Sequence, residues 1–282
     1  MYKRQHPAYA NILKMKTYRT IAGLIPSIAL LFIIVTSHGQ PKTVDQGNSQ
    51  EMATRAWEQA ILAKGGREKL RSVENMVLSS QGSFQKGNRK ISIHLVDLYV
   101  FPNKWWSWND QRPSEFGLSM KMSDQEMGKS YSLQYKGENF SGLETINRKK
   151  GDRGFPGLID LLPETRWDKV IPLKLTNGNF RGRNVQIVQT QLYEWRIDFY
   201  LDAETHLPLY VVSFSGDKSA LKTRLLEYVD VAGIQMPSKV VFESSDGEMT
   251  YQRSYWFNVA YDQNIFKVPP PFEAGPESWK LK

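Results

Sequence analysis

The chain has 282 residues, a formal charge of +8 and no cysteine. Five of its basic residues (Lys3, Arg4, Lys14, Lys16, Arg19) fall in residues 1–39, which carry no acid, and the other 243 residues hold 32 basic and 29 acidic side chains. A nearly balanced body excludes a nucleic-acid binder with a basic face. The missing cysteines exclude a disulfide scaffold, a thiolate metal site and a cysteine nucleophile. Only His94 and His206 lie beyond residue 39, too few for a multi-histidine metal centre.

From Met15 the chain reads as an export leader. Lys16 and Arg19 precede a 15-residue apolar core, Ile21–Val35, and Ser37-His38-Gly39 sets small residues where a signal peptidase cuts, before Gln40. The alternative is a retained anchor, because the uncharged stretch Thr20–Pro41 is 22 residues long, enough to span a bilayer. On either reading the body is exported to the periplasm. Met15 is the expected start, which leaves residues 1–14 outside the gene product. No cysteine follows the core, so the chain is not itself a lipoprotein.

Residues 40–49 form a polar linker. Asn48 with Glu51 makes a capping-box pattern that opens a helix over Ser49–Ala63. Met52, Ala56, Ala60 and Ala63 share one stripe, with Trp57 beside it, and Gly65-Gly66 ends the helix. A short second helix follows over Arg67–Val73. From Asn75 the period becomes two. It is clearest at 194–201, where Trp195, Ile197, Phe199 and Leu201 alternate with polar residues or Tyr200. Similar runs cover 76–84, 90–100, 104–109, 117–123, 129–135, 183–191, 208–214, 221–231, 237–243 and 249–259. Turn signals separate them at Gly87, Gly137, Asn177-Gly178, Gly216, Gly233 and Gly247. Such short connections make antiparallel hairpins, and so many strands must curl or close.

Asn147–Gly154 is basic and breaks the pattern. After it, Phe155, Leu158, Ile159 and Leu162 fall at i, i+3, i+4 and i+7, one apolar face of a two-turn helix. This helix either covers the mouth of the curled sheet or packs as a plain core connection. The proline-rich stretch Pro269–Pro271 ends the last strand.

A search for chemistry finds no phosphate loop, no Gly-x-Ser-x-Gly elbow and nothing that sets His94 or His206 beside a nucleophile. His94 reads as a structural histidine on a strand, His206 as a turn residue, and Asp202 with Thr205 as turn chemistry. No catalytic residue, metal or cofactor is expected. The unusual feature is aromatic: Trp105, Trp106 and Trp108 on one strand, with Trp106 and Trp108 on one face and Trp105 on the other. Large aromatics lining a curled sheet suit acyl chains, and the plainer alternative is that all three are core.

The order of several motifs resembles the periplasmic lipoprotein-carrier family (LolA-like). Asp97–Trp108 resembles its strand–Pro-Asn–strand step. Tyr135-Lys136-Gly137-Glu138-Asn139-Phe140 resembles the next hairpin, and Phe155–Leu162 falls at its lid helix. Asp202, Thr205 and Pro208 match its Asp-x-x-Thr-x-x-Pro step, and Phe266 through Pro270 its terminal motif. One departure is plain: the carriers' arginine after Pro-Asn has no counterpart in Lys104-Trp105-Trp106. A divergent relative that binds another lipid fits equally.

The resemblance implies a mainly β (α+β) fold over residues 50–274, followed by a tail over 275–282. A curled antiparallel sheet forms a half-open β-barrel, with an N-terminal helix and a short lid helix. It implies a non-enzymatic carrier or chaperone. Its acyl chains, from lipids or lipoproteins, would meet Trp106, Trp108, Phe140, Phe155, Leu158, Ile159 and Leu162. Membrane-bound donor or acceptor proteins are the further partners, nucleic acid is not one, and a monomer is expected. The alternative is an exported sensor or interaction module of the same fold with a filled core.

Overall fold

The computed structural model describes residues 46–266, except 103, 114–117, 125–128, 137–138, 148–169, 193–194, 216–217 and 245–246; between 114 and 169 the description is of the backbone. The leader, Phe155, Leu158, Ile159, Leu162 and the tail therefore lie outside the described residues.

Two helices come first, α1 (Gln46–Ala63) and α2 (Arg67–Arg71). The strands follow as β1 (Asn75–Lys86), β2 (Arg89–Val100), β3 (Lys104–Arg112), β4 (Leu118–Asp124), β5 (Lys129–Lys136) and β6 (Asn139–Asn147). A second run contains β7 (Val170–Phe180), β8 (Arg183–Leu192), β9 (Trp195–Asp202), β10 (Pro208–Ser215), β11 (Lys218–Val231), β12 (Ile234–Ser244) and β13 (Gly247–Phe257). A one-turn 3-10 helix, Gln263–Phe266, ends the described chain.

All thirteen strands join one sheet in the order β6-β5-β4-β3-β2-β1-β13-β12-β11-β10-β9-β8-β7. The sheet is not closed: β6 and β7 are its two edges. Every neighbouring pair is consecutive in the chain except β1 with β13, which run antiparallel from Met76–Phe257 to Ser83–Thr250. That seam is fastened at one end by two asparagines. The Asn258 amide NH donates to the Asn75 carbonyl (2.9 Å), the Val259 NH to Asn75 Oδ1 (2.9 Å) and the Glu74 NH to Asn258 Oδ1 (2.7 Å).

The sheet curls around α1. One buried cluster joins Trp57, Ala53, Ala56 and Ala60 of the helix to residues of nine consecutive strands, from Tyr99 of β2 round to Val170 of β7. Nine strands laid flat at the usual spacing cover about 38 Å, far wider than one helix. Curling brings them all onto it, and the small alanines let the helix approach closely. The helix ends at Gly65, whose φ of +125° suits glycine, and a Cβ there would press on the Gly233 carbonyl oxygen of the β11–β12 turn.

Three details differ from the sequence reading. Helix α1 begins at Gln46, so Asn48 is a helical residue and not the cap. Strands β6 and β7 were not expected. Asn177-Gly178 is not a turn; it lies inside β7, opposite Gln186 and Val185. The chain reverses instead at Arg181-Gly182, with φ of +53° and +84°. Reversal at Arg181-Gly182, four residues further on, gives β7 a full partner in β8. Pro172 is tolerated in β7 because an edge strand has a side that needs no donor.

Candidate functional site

The helix side is filled where α1 lies. Trp57 is fully buried and its ring sits 4.8 Å from that of Phe199, tilted by 59°. Its indole Nε1 has no hydrogen-bond partner, so the residue acts there by bulk. At the helix end Lys64 is also buried; its ammonium donates to the Gln235 carbonyl and lies 5.3 Å above the Tyr228 ring.

The tryptophans of β3 divide as alternation requires. Trp105 packs at the margin of the α1 cluster, its Nε1 donating to Asp97 Oδ1 at 3.2 Å. Trp106 and Trp108 face the other way. Trp106 is fully buried in a second cluster with Val77, Val96, Leu98, Ile265 and Phe266, and half-buried Trp108 packs against it. The side of the sheet that carries Trp106 and Trp108 is therefore not the side that carries α1.

The Cα register extends this second side across β4, β5 and β6. Trp106 stands opposite Met122, which stands opposite Tyr131. Trp108 leads in the same way to Met120, Leu133 and Leu143. One row further, Leu118 meets Tyr135 and Tyr135 meets Phe140. The intervening rows are polar: Ser107, Lys121, Ser132 and Glu144, then Asn109, Ser119 and Gln134. Cross-strand partners belong to one face of a sheet. The backbone therefore brings three of the expected contact positions, Trp106, Trp108 and Phe140, onto one set of mostly apolar rows; the first ends on Thr145, and the third opens at Asp110 and passes a register shift before Phe140.

His94 is placed on the Trp106 side. Its Nε2 lies 3.1 Å from Ser79 Oγ, and its ring meets the Trp108 ring edge-on at 5.5 Å. Asp110 stands across from it in register, but the Asp110 carboxylate is engaged by Arg112 at 3.0 Å. Among the described residues no cluster of acidic or histidine side chains has metal-site geometry, and no helix is long and apolar enough to cross a membrane.

A second polar assembly escaped the sequence reading. On β10, β11 and β12, Arg224 Nε lies 2.9 Å from Glu243, and its other nitrogen is bonded to Glu248 from β13. The Tyr210 hydroxyl donates to Glu243 at 3.0 Å. Burial first, and then the Glu243 charge that a phenolate would have to face, push the Tyr210 hydroxyl up to about 12. Phe180, at the end of β7, stacks on the Tyr210 ring at 4.6 Å. These residues are 5 to 68 positions apart in the chain, and the strand register brings them together.

The Asp202 turn is as expected. Its Oδ1 accepts from the amide NH groups of Thr205 and Glu204 and from the Thr205 hydroxyl. Burial acts upward on this carboxyl, but those donors and the neighbouring Arg183 outweigh it and hold it below its ordinary value.

No protein-family model and no curated protein matches the sequence. Among solved structures, a DUF1329 family protein from Desulfovibrio piger matches over 77% of this chain and 98% of its own, with 14% identity and a TM-score of 0.51. An outer membrane lipoprotein-sorting protein domain from Vibrio parahaemolyticus covers 80% and 98%, with 11% identity and a TM-score of 0.48. A LolA superfamily protein from Nitrosomonas europaea covers 76% and 97%, with 10% identity and a TM-score of 0.49. At such identities likeness is a matter of fold, and the first match shows that this chain shares its fold.

Proposed function

We propose that the protein is an exported, non-enzymatic binder of acyl chains, acting in the periplasm as a carrier or chaperone for lipids or lipoproteins. The observation that carries this reading is the set of apolar rows running from Trp106 and Trp108 through Met120, Met122, Tyr131, Leu133 and Leu143 to β6. They cross four strands on the side away from α1. Such a strip offers area and few hydrogen bonds, which is what an acyl chain asks for. Each CH₂ moved from water onto it is worth about 0.8 kcal/mol, so a long chain is held by area alone.

The test is native mass spectrometry of protein purified from its periplasm, together with titration of a fluorescent hexadecanoate analogue. Co-purified lipid is expected. Trp108→Ala should weaken probe binding at least about fivefold, while Trp105→Ala leaves it within about twofold. Equal losses from both, or no binding at all, reject the reading.

A second reading, an exported sensor or interaction module without ligand, draws support from the α1 side, where Trp57, Phe199 and their neighbours are buried in one cluster. Lipid-free protein that fails to bind the probe favours it.

A further inference from the structure

Strand β11 runs on past the start of β10. Their ladder begins only at Tyr210–Arg224, so Leu225–Val231 of β11 pair with β12 alone. Two irregularities fall in this stretch: a register shift between Pro208 and Tyr210 where β10 pairs with β9, and Glu227 of β11 at φ +53°. The Tyr228 hydroxyl reaches β10 by donating to the Pro208 carbonyl at 2.7 Å. The β7–β8 hairpin end lies alongside, held by Phe180 on Tyr210. The result is a groove of about 530 Å³, within the range of small-molecule sites. Two of the five non-glycine residues with positive φ among the described residues line it, Arg181 and Glu227. Strained backbone gathered at one groove, away from the acyl strip, invites a functional account.

Its lining has two parts. Leu207, Leu209 and Leu226 supply apolar wall, all of them half-buried. Arg181 and Arg183 stand at the hairpin end with side chains 59% and 65% exposed. Each guanidinium has five N–H donors. Arg183 makes a single long bond, 3.4 Å to Asp202 Oδ2, whose other oxygen is occupied by the turn. Arg181 makes no hydrogen bond and approaches Glu243 and Glu248 only to 3.7 and 3.9 Å. Both of those carboxylates are already held by Arg224, which is nearly buried. Exposed ion pairs of this length contribute little and are readily exchanged. Two guanidiniums with most of their donors open thus flank a groove walled by leucines, which is also lined by Glu227, a carboxylate held by Lys239 at 2.9 Å. Beyond those ion pairs, Arg181 lies 5.8 Å from the centre of the Phe180 ring.

We propose that this groove binds a single-chain amphiphile with a carboxylate head, the head held by Arg181 and Arg183 and the tail laid along Leu207, Leu209 and Leu226. This site is separate from the acyl strip and does not depend on it. Arginine suits the task because its planar fork meets a carboxylate through two parallel bonds.

The test is calorimetric titration of the exported chain with three probes: dodecanoate, dodecyltrimethylammonium and acetate. Dodecanoate should bind at least about tenfold more tightly than either of the others, since one carries the opposite head charge and the other lacks the tail. Arg181→Ala with Arg183→Ala should weaken dodecanoate about tenfold or more, without lowering the melting temperature, and the double Lys variant should recover part of the loss. Leu226→Gln should weaken dodecanoate and leave acetate unchanged. Trp108→Ala should leave this binding intact, which separates it from the acyl strip. Equal binding of the cationic and anionic amphiphiles, indifference to the double Ala change, or loss through Trp108→Ala instead would each overturn the proposal.

Discussion

Strands β9 and β2 solve different problems, and their sequences differ accordingly. In β9 the residues facing α1 (Ile197, Phe199, Leu201) are buried while Arg196, Asp198 and Tyr200 between them are only half-buried, giving a clean period of two. In β2 the four residues Val96–Tyr99 are all buried, Tyr99 in the α1 cluster and Val96 and Leu98 in the Trp106 cluster. Met76 and Val77 of β1 divide in the same way, as do Trp105 and Trp106 of β3. Apolar cover thus changes sides across the sheet, and β1, β2 and β3 are the strands that carry both covers. Consecutive buried residues are the mark of a strand covered on both faces, and alternation the mark of one covered on a single face; the β2 run includes the buried Asp97, which accepts from Trp105 Nε1.

The sharpest way to break this comparison is to remove bulk from each cover in turn. Phe199→Ala should cost about 3–5 kcal/mol in urea unfolding, because its cavity opens beneath Trp57 where the helix cannot follow. Trp108→Ala, at a half-buried position of the other cover, should cost about 1–2 kcal/mol. Equal costs would mean that the two covers form one cooperative core. Next comes Gly65→Ala, which sets a Cβ against the β11–β12 turn at a φ that alanine avoids; a loss of about 1–3 kcal/mol is expected in thermal melts.

Two titrations give smaller effects on the α1-covered half. The Tyr210 hydroxyl is raised to about 12, so the folded state holds that proton more tightly than the unfolded chain, whose tyrosines titrate near 10. Its contribution is complete below about pH 10 and is lost as pH rises through about 12. Tyr210→Phe should therefore flatten the alkaline fall in stability measured by urea unfolding over that window. Asp202 runs the opposite way. Its folded carboxyl is held below the unfolded value of about 3.9, so its contribution is present above that pH and lost as pH falls. Asp202→Asn keeps an acceptor for the turn and should reduce the acid slope below about pH 4. A slope identical to that of the unmodified protein would show that the turn amides do not hold the charge.

Much of the fold was legible because burial leaves a periodic trace. The α1 stripe, most strands and the opposed faces of Trp105 and Trp106 follow from spacing alone. The face that receives the helix was not legible, since alternation assigns residues to two sides without saying what lies on either. Strand β7 was missed for a physical reason. As an edge strand it has little to bury, with Ile171 and Leu173 left partly exposed, so its pattern is weak and its Asn-Gly pair reads as a turn. The Arg224, Glu243 and Glu248 assembly left no trace at all, because each belongs to a different strand and only the ladder aligns them. The strip through Phe140 was half legible: the aromatics stand out, but their alignment depends on register.

The seam between β1 and β13 also orders the making of the protein. All other strand pairs close within one hairpin or, at the edges, need no closing, so β1–β6 and β7–β13 can each assemble as the chain emerges. The seam joins residues more than 160 positions apart, which costs about 3 kcal/mol more in loop closure than a hairpin does. It must form late, after both meanders have reduced that cost by their own collapse. Until β13 arrives, β1 is a bare edge carrying Met76, Val77 and Leu78, a template for pairing with another chain. A chain that stops short of residue 247 should therefore aggregate through β1 even though twelve of its strands are present.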